Sequence, residues 1–455
     1  MNAFEHAAAQ SDTYLAQLKD LLAIPSVSTL PEHSADMQRA AEWLAAHLRS
    51  VGMDRAEVMP TGGHPVVYAE WLNAPGAPTV LVYGHYDVQP PDPLDEWFSP
   101  PFTATERDGD LYARGATDDK GQLFVQVKAV DALLSAEGAL PVNVKFLLEG
   151  EEEIGSKHLD SFIEAHRDLL AADVALISDA PVWAIDQPSI TYGIRGMTYM
   201  EIEVRGPRAD LHSGAYGGTV HNPAQALCEI IAALHNPDGS IAVPGFYDRV
   251  RPIDEEERAA LAKLPWTEAK WRSETGAPKP WGEPGYSFVE RLGVRPTLEV
   301  NGLSGGFAGA GAKTIIPAKA LAKVSCRLVP DQDPDEIYEL VRDQVHRLAP
   351  DTVEVEVRKL NRGKPAVMDR NVPAMKAAVA AYKAGFGVEP VFTREGGTIP
   401  VVATFRHVLG LPTVMMGYGL PNDNIHSPNE KMTLAMFYKG IQTAIHFFKA
   451  YAERS

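Results

Sequence analysis

Histidine and carboxylate residues follow several short apolar runs of the sequence or stand just before a predicted helix. The candidates of this kind are His85, Asp87, Asp118, Asp119, Glu149, Glu151, Glu152, Glu153, Asp179 and His426. Several carboxylates in one cleft repel one another strongly unless cations neutralise them. Because the set contains no cysteine, it suits a divalent ion such as Zn²⁺, Mn²⁺ or Co²⁺ and argues against a closed structural zinc site.

The spacing within two motifs indicates how such a site would work. One residue separates His85 from Asp87, so both side chains lie on one face of an extended segment. Asp87 could then accept a hydrogen bond from the His85 ring and fix its tautomer. Of the neighbours Glu152 and Glu153, one could bind a metal while the other stays free as a base.

Each candidate also has a simpler explanation when it is taken singly. A lone histidine such as His85 is usually a surface or hydrogen-bonded residue, and the acidic run 149–153 could be a solvated face. Asp118 or Asp119 could cap the helix that follows. Four strand ends and one helix start nevertheless supply the same side-chain types, and this convergence favours a metal site.

The elements that position these residues alternate between strand and helix patterns. Apolar runs typical of buried strands occupy 79–83, 142–148, 174–177 and 413–416, and helical spacing of apolar residues occurs at 121–137, 157–170 and 432–450. Such alternation predicts an α/β fold with a mostly parallel sheet flanked by helices. Ligands bind beyond the carboxyl ends of the strands in these folds, where the candidates stand.

The middle of the chain has a different pattern. Strands that alternate apolar and polar residues are predicted at 198–205, 319–328 and 353–358, with helices at 222–235 and 334–348. This order predicts a ferredoxin-like α+β domain over residues 196–368, inserted into a catalytic domain made of 1–195 and 369–455. A Pro-rich stretch at 240–296 with three tryptophans is expected to be an irregular lid or interface.

Composition excludes several classes of partner. With 42 basic and 60 acidic residues, the formal charge of −18 argues against nucleic acid and against anionic membranes. No window approaches 18 apolar residues, no secretory signal is visible at the N-terminus, and the two cysteines fit a reducing cytosol, so a cytoplasmic protein is expected. A loop motif also argues against a nucleotide as ligand. The segment 304–314 is similar to a phosphate-binding loop, but Ala312 replaces the glycine before Lys313, so nucleotide binding is not expected.

A family resemblance rests on six motifs in consistent order: GHYDVQP, LYARGATDDKGQ, EGEEEIGS, SDAP, ADLHSGAYGG and NIHSPNE. From about residue 15 to the C-terminus, the chain resembles the co-catalytic zinc aminopeptidase/carboxypeptidase family of aminoacylase, carboxypeptidase G, succinyl-diaminopimelate desuccinylase and carnosinase. It is most similar to the carnosinase and cytosolic nonspecific dipeptidase branch. AKTIIPAKALAKVSCRLVP, FTREGGTIPV and the 240–296 insertion support that placement.

The resemblance implies a role for each matched position. The implied ligands of one metal are His85 and Asp179, those of the other are Glu153 and His426, and Asp118 bridges the two beside a cis bond to Asp119. Glu152 matches the general base, Asp87 the carboxylate behind His85, His212 a lid histidine that reaches the partner subunit's site, Arg327 the arginine that holds a substrate carboxylate, and Gly397 and Thr398 further substrate contacts. Glu151 is interpreted as incidental.

The implied enzyme is a di-metal hydrolase of dipeptides or very short peptides with a free C-terminal carboxylate. Two divalent ions, Zn²⁺ first and Mn²⁺ or Co²⁺ as alternatives, would activate a bridging water while Glu152 acts as base. A homodimer through the inserted domain is expected. N-acyl-amino-acid deacylation and a carboxypeptidase activity remain alternatives within the family. A non-catalytic metal-binding protein of the same fold is disfavoured because the base and all five ligands are present.

Overall fold

The computed structural model describes residues 1–397 and 399–454, without the side chain of Glu274. These residues form two compact units. The first comprises 1–192, 368–393 and 400–454, and the second comprises 193–367 and the described part of 394–399. The described residues of 394–399, predicted to belong to the catalytic domain, therefore group with the second unit. No described helix is both long and apolar enough to cross a membrane.

A large sheet organises the first unit. Its strands, with β8, β15 and β16 lying at or across the unit boundary, are β1 (Arg55–Met59), β2 (Val66–Trp71), β3 (Thr79–His85), β6 (Asn143–Glu149), β7 (Val174–Ile177), β8 (Ser189–Ile194), β15 (Ala366–Val367), β16 (Val391–Glu395) and β17 (Thr413–Met415). Within the described residues the order is β1-β2-β6-β3-β7-β17-β8-β15, with β16 also paired to β8. The neighbours β6, β3, β7 and β17 run parallel, and antiparallel strands extend the sheet on either side. The predicted α/β class is confirmed.

Burial explains why the parallel strands read as continuous apolar runs. Nearly every residue of β3, β6, β7 and β17 is buried, because helices cover both faces of a parallel sheet. The register places His85 at the end of β3 directly beside Glu149 at the end of β6. Chemistry-bearing residues from separate strands therefore meet at one edge of the sheet.

The helices of the first unit are α1 (Ala3–Ala9), α2 (Ser11–Leu22), α3 (Ser34–Val51), α4 (Lys120–Glu137), α5 (Leu159–Ala165), α6 (Arg167–Leu170), α13 (Pro373–Phe386), α14 (Pro400–Thr404) and α15 (Leu434–Ala452). Short 3₁₀ turns occupy Pro31–His33, Leu94–Glu96 and Glu152–Ile154, and a π-helical turn spans Phe405–Leu409. A small antiparallel sheet joins β4 (Thr105–Arg107), β5 (Asp110–Tyr112) and β18 (Lys431–Thr433). The predicted helix at 157–170 is divided into α5 and α6.

Helix α4 is the central helix of the first unit and is buried on most of its surface. Its first turn packs very closely on β3, and Gly84 makes this approach possible. A Cβ atom at Gly84 would lie 2.8 Å from both Asp119 Oδ2 and Leu123 Cβ. Since Asp118 and Asp119 directly precede α4, the missing side chain at Gly84 brings them next to His85.

The second unit contains the predicted ferredoxin-like sheet. Its strands are β9 (Gly196–Arg205), β11 (Thr297–Gly305), β13 (Lys319–Leu328) and β14 (Glu354–Gly363), and its main helices are α8 (Pro223–Ala232) and α12 (Pro334–Leu348). The described strands follow the antiparallel order β11-β13-β9-β14, so the chain runs β-α-β-β-α-β. Smaller elements are β10 (Leu211–His212), β12 (Ile315–Ile316) and α7 (Ser213–Tyr216).

The insertion 240–296 is more regular than predicted. It contains α9 (Glu255–Leu261), α10 (Glu268–Thr275) and α11 (Phe288–Gly293). Trp266 packs on Phe288 with 4.7 Å between ring centroids. The buried Glu257 forms an ion pair with Arg394, which ties the insertion to the segment 394–397.

A half-buried histidine beside α4 predicts a pH dependence of stability. The Lys128 Nζ atom lies 2.7 Å from His47 Nε2, and His47 stacks on Trp43. Burial and the Lys128 charge lower the pKa of His47 to about 4. The unfolded chain, with a histidine pKa near 6.5, therefore binds more protons than the folded chain between about pH 4 and 6.5. The free energy of unfolding should fall as the pH decreases through this window, by up to about 1.4 kcal/mol per pH unit.

The variant His47→Gln tests this dependence, because glutamine keeps an acceptor for Lys128 but does not titrate. We expect the difference in melting temperature between variant and wild type to shift in favour of the variant as the pH is lowered from 7.5 to 5. Circular dichroism melts at both pH values measure this shift. A difference that stays constant with pH would contradict the assignment.

Candidate metal centre

Two groups of potential metal ligands share one aspartate in the first unit. His85, Asp118 and Asp179 form one group, and Asp118, Glu153 and His426 form the other. Within each group the ligand atoms all lie within 4.8 Å of one another. The structure thus brings together the five residues predicted to bind metal, and Asp118 stands where a bridging ligand would be.

His85 faces the first group from the carboxyl end of β3. Its Nε2 atom lies 3.1 Å from Asp118 Oδ1 and 3.9 Å from Asp179 Oδ2. Its Nδ1 atom lies 3.1 Å from the main-chain oxygen of Asp87 and 3.4 Å from the Oδ1 atom of the same residue. A proton on Nδ1 would be held by Asp87, which leaves Nε2 free to bind a cation.

Asp87 has a further role that the sequence did not reveal. Its two carboxylate oxygens accept hydrogen bonds from the main-chain N–H groups of Glu152, at 3.2 Å, and Glu153, at 3.0 Å. The carboxylate therefore orients the turn Glu152–Ile154 as well as facing His85. These contacts join residues 65 and 66 positions apart, so no local pattern signals them.

His426 completes the second group from the loop after β17. Its Nε2 atom lies 3.0 Å from Asp118 Oδ2 and 3.2 Å from Glu153 Oε2. His426 has a left-handed backbone with φ of 58°, an unusual conformation for a residue other than glycine. Gln89 donates a hydrogen bond of 2.7 Å to Glu153 Oε2.

The donor set fits divalent metal ions. Ligand atoms around a tetrahedral zinc ion with bonds of 2.0–2.1 Å are about 3.4 Å apart. The separations from Asp118 to the two histidines, 3.1 and 3.0 Å, and from His85 to Asp179, 3.9 Å, bracket this value. Glu153 Oε1 is buried without a hydrogen-bond partner, and a cation would satisfy it.

Protonation equilibria in this cleft show the excess of negative charge. Burial raises the pKa of Asp179, and the nearby Asp118 carboxylate raises it further. Hydrogen bonds to Asp118 and Glu153 raise the pKa of His426 to about 10. In the absence of metal, protons offset the charge that divalent cations would otherwise neutralise.

Glu152 lies beside the two groups but belongs to neither. Burial raises its pKa well above the usual range of a glutamate, and the carboxylates of Asp179, Glu153 and Asp118 act in the same direction, whereas His85 opposes them. A carboxyl group with a raised pKa next to a metal site can take up a proton and release it again. The two adjacent glutamates thus occupy different environments.

Glu151 was interpreted from the sequence as incidental, but its side chain anchors the loop. Its side chain is buried, accepts a hydrogen bond of 3.1 Å from the main-chain N–H of His64, and lies 2.8 Å from His158 Nδ1. In an acidic run, a buried anchor cannot be told from a solvated carboxylate by residue type alone.

Asp119 makes no capping hydrogen bond on α4. Its Oδ2 accepts instead from the main-chain N–H of His85 at 3.2 Å. The Asp118–Asp119 peptide bond is cis, as the resemblance implied.

The remaining predicted site residues that the structure describes belong to the second unit. His212 is exposed on β10, paired with Ile315, and its Nδ1 accepts from the main-chain N–H of Gly214 at 3.0 Å. Arg327 lies on β13, where burial lowers its pKa. Gly397 follows Gly396, whose carbonyl lies 3.4 Å from Arg195 Nε. Thr398 lies outside the described residues.

Known proteins resemble the chain over nearly its whole length. It is 33% identical to the Cys-Gly metallodipeptidase of Schizosaccharomyces pombe over 95% of this chain and 94% of that protein. It is also 33% identical to the human Beta-Ala-His dipeptidase over 99% of this chain and 92% of that protein. The solved structure of an M20 family metallo-carboxypeptidase from Sulfolobus solfataricus superposes with a TM-score of 0.88 at 35% identity, covering 97% of this chain and 99% of the other.

A family-level match agrees with these relatives. The model of Peptidase family M20/M25/M40 matches residues 81–450, a range that contains all five candidate ligands and Glu152. Together with full-length relatives above 30% identity, this match identifies the chain as a member of the peptidase family M20/M25/M40.

Proposed function

We propose that the chain is a di-metal exopeptidase that hydrolyses dipeptides or very short peptides with a free C-terminal carboxylate. The observation that carries this proposal is the pair of ligand groups joined at Asp118, with Glu152 beside them and outside both. The names of the yeast and human relatives, both dipeptidases, support the substrate class. The Sulfolobus carboxypeptidase makes cleavage of longer peptides the second candidate.

The chain's own residues would hold the metal ions and move the proton. His85, Asp118 and Asp179 would hold one ion, and Asp118, Glu153 and His426 the other, with Zn²⁺ as the expected metal and Mn²⁺ or Co²⁺ as alternatives. When bound, such ions acidify water and polarise the scissile carbonyl. Glu152 would take the proton from the attacking water and deliver it to the departing amine.

The second unit would supply substrate recognition. Arg327 is proposed to pair with the terminal carboxylate, with Gly397 and Thr398 as further contacts, because a guanidinium binds a carboxylate through two parallel hydrogen bonds. His212 is proposed to stabilise the oxyanion in the site of the partner subunit, which requires a homodimer formed through this unit. The protein is proposed to act in the cytoplasm.

Substrate class and metal dependence are tested together. The purified chain should lose activity on removal of metal with a chelator and regain it with Zn²⁺, Mn²⁺ or Co²⁺, because the five ligands act only through a bound ion. We expect release of free amino acids from a panel of dipeptides, measured by chromatography, and little from N-acetyl or N-succinyl amino acids. Activity confined to the acylated compounds would refute the dipeptidase proposal, and a preference for longer peptides would favour a carboxypeptidase.

Glu152→Gln tests the general base. The amide cannot accept the proton of water, so turnover of the best dipeptide should fall by about 10²–10⁴-fold. Metal content, measured by elemental analysis, should stay at the wild-type value because Glu152 belongs to neither ligand group. Glu151→Gln is the control for disturbance of the loop, since Glu151 anchors the same loop. Its turnover should fall much less than that of the Glu152 variant. Wild-type turnover in the Glu152 variant would exclude it as the base.

Subunit mixing tests the dimer and the role of His212. Chains with His212→Ala and chains with Glu152→Ala should each be nearly inactive. If His212 acts in the partner's site, a mixed dimer contains one site with both side chains intact. The activity per mixed dimer should therefore recover to about half of that of the wild-type dimer. Activity is measured after unfolding and refolding the two variants together, with each variant refolded alone as control. Absence of recovery in a verified mixed dimer would contradict the proposed crossover.

A further inference from the structure

Glu430 is a fully buried carboxylate whose surroundings consist of hydrogen-bond donors. Its Oε1 atom accepts from the main-chain N–H groups of Thr117 and Asp118, each at 3.0 Å. Its Oε2 atom accepts from the main-chain N–H of Gly115 at 2.8 Å and from Arg114 Nη1 at 2.9 Å. Both oxygens therefore hold the loop that ends at the shared ligand Asp118.

We propose that Glu430 is the positioning residue of the shared ligand, and that it sets the affinity for both metal ions through Asp118. The inference rests on the proposed di-metal function. Glu430 belongs to neither ligand group, so its effect would pass through the main chain of Asp118. Displacement of Asp118 would therefore remove a ligand from both groups at once.

The four donors explain why this position needs a carboxylate. Only an ionised carboxyl group can accept on both oxygens, whereas an amide must turn its NH₂ group toward one pair of donors. The negative charge also faces Arg114, which is 1% exposed and would otherwise be a buried cation without compensation at this end. A glutamine at position 430 would therefore disturb one side of the loop in either orientation.

Glu430 also joins the segments that carry two ligands. It lies four residues after His426, and its main-chain oxygen accepts from the N–H of Ala113 at 3.1 Å. Thr117 Oγ1 lies 3.0 Å from Asp423 Oδ2, at the other end of the His426 loop. The loop containing His426 and the loop containing Asp118 are thus fastened to each other at both ends.

The test measures metal binding by the full chain rather than turnover. Metal-free wild type is expected to bind two Zn²⁺ ions in calorimetric titrations. Loss of a hydrogen-bond partner behind a metal ligand typically weakens metal affinity 10- to 100-fold. We expect Glu430→Gln to weaken the binding of both ions by this factor, and to reduce the rise in melting temperature that Zn²⁺ produces.

Two controls separate positioning from general damage. Asp179→Asn removes a ligand of one group only, so it should weaken one ion and leave the other near the wild-type affinity. Glu290→Gln removes the charge of a carboxylate of the second unit that is 4% exposed, and it should leave both affinities unchanged. If Glu430→Gln does not fold, Glu430→Asp keeps the charge but is one methylene too short to reach both pairs of donors, and the same loss is expected.

The outcomes decide between the two proposals. Weakening of both ions together supports the role of Glu430. A folded Glu430 variant that binds both ions with wild-type affinity, or that weakens only one, overturns it while leaving the di-metal function intact. A wild-type chain that binds no divalent ion overturns both.

Discussion

Mutual repulsion among carboxylates is the constraint on which the first unit depends. Asp118 belongs to two groups of candidate ligands at once, and three further acids, Asp179, Glu152 and Glu153, lie around it. Without cations, protonation and hydrogen bonding to histidine are the remaining ways to accommodate such a cluster. Burial raises the pKa values of Asp179 and Glu152, and the neighbouring carboxylates raise them further, so a cation in the cleft would offset part of this cost.

The fold meets this constraint by assembling the cluster from rigid elements. Strand β3 ends at His85, and Asp179 follows two residues after the end of the parallel strand β7, so both lie at the same edge of the sheet. Helix α4 begins immediately after the loop that contains Asp118. Gly84 allows that helix to approach β3 at a distance no side chain would permit. Asp87 then orients the turn that carries Glu152 and Glu153, so that the proposed base and a candidate ligand come from adjacent positions.

Residue types and periodicity carried much of this arrangement, because strand ends and helix starts are local features. They predicted the α/β class and the proximity of the five candidate ligands. Contacts between distant segments could not be predicted in this way: Glu430 bonds to residues more than 300 positions earlier, and Glu151 closes on His64. The helices of the 240–296 insertion had a usable signal that the proline content obscured, since Ser287 and Glu290 form a capping box at the start of α11.

The chain enters and leaves the second unit through neighbouring strands, because Ile194 pairs with Ala366 and Gly193 with Val367. A segment whose two ends lie side by side can be gained, lost or exchanged in a single recombination event without separating the ends of its host. The second unit could therefore be replaced as a module without separating the ends of its host. The segment 394–397 lies outside the inserted stretch yet groups with it, and Arg394 pairs with Glu257. Any exchanged module would have to bring its own partner for that arginine.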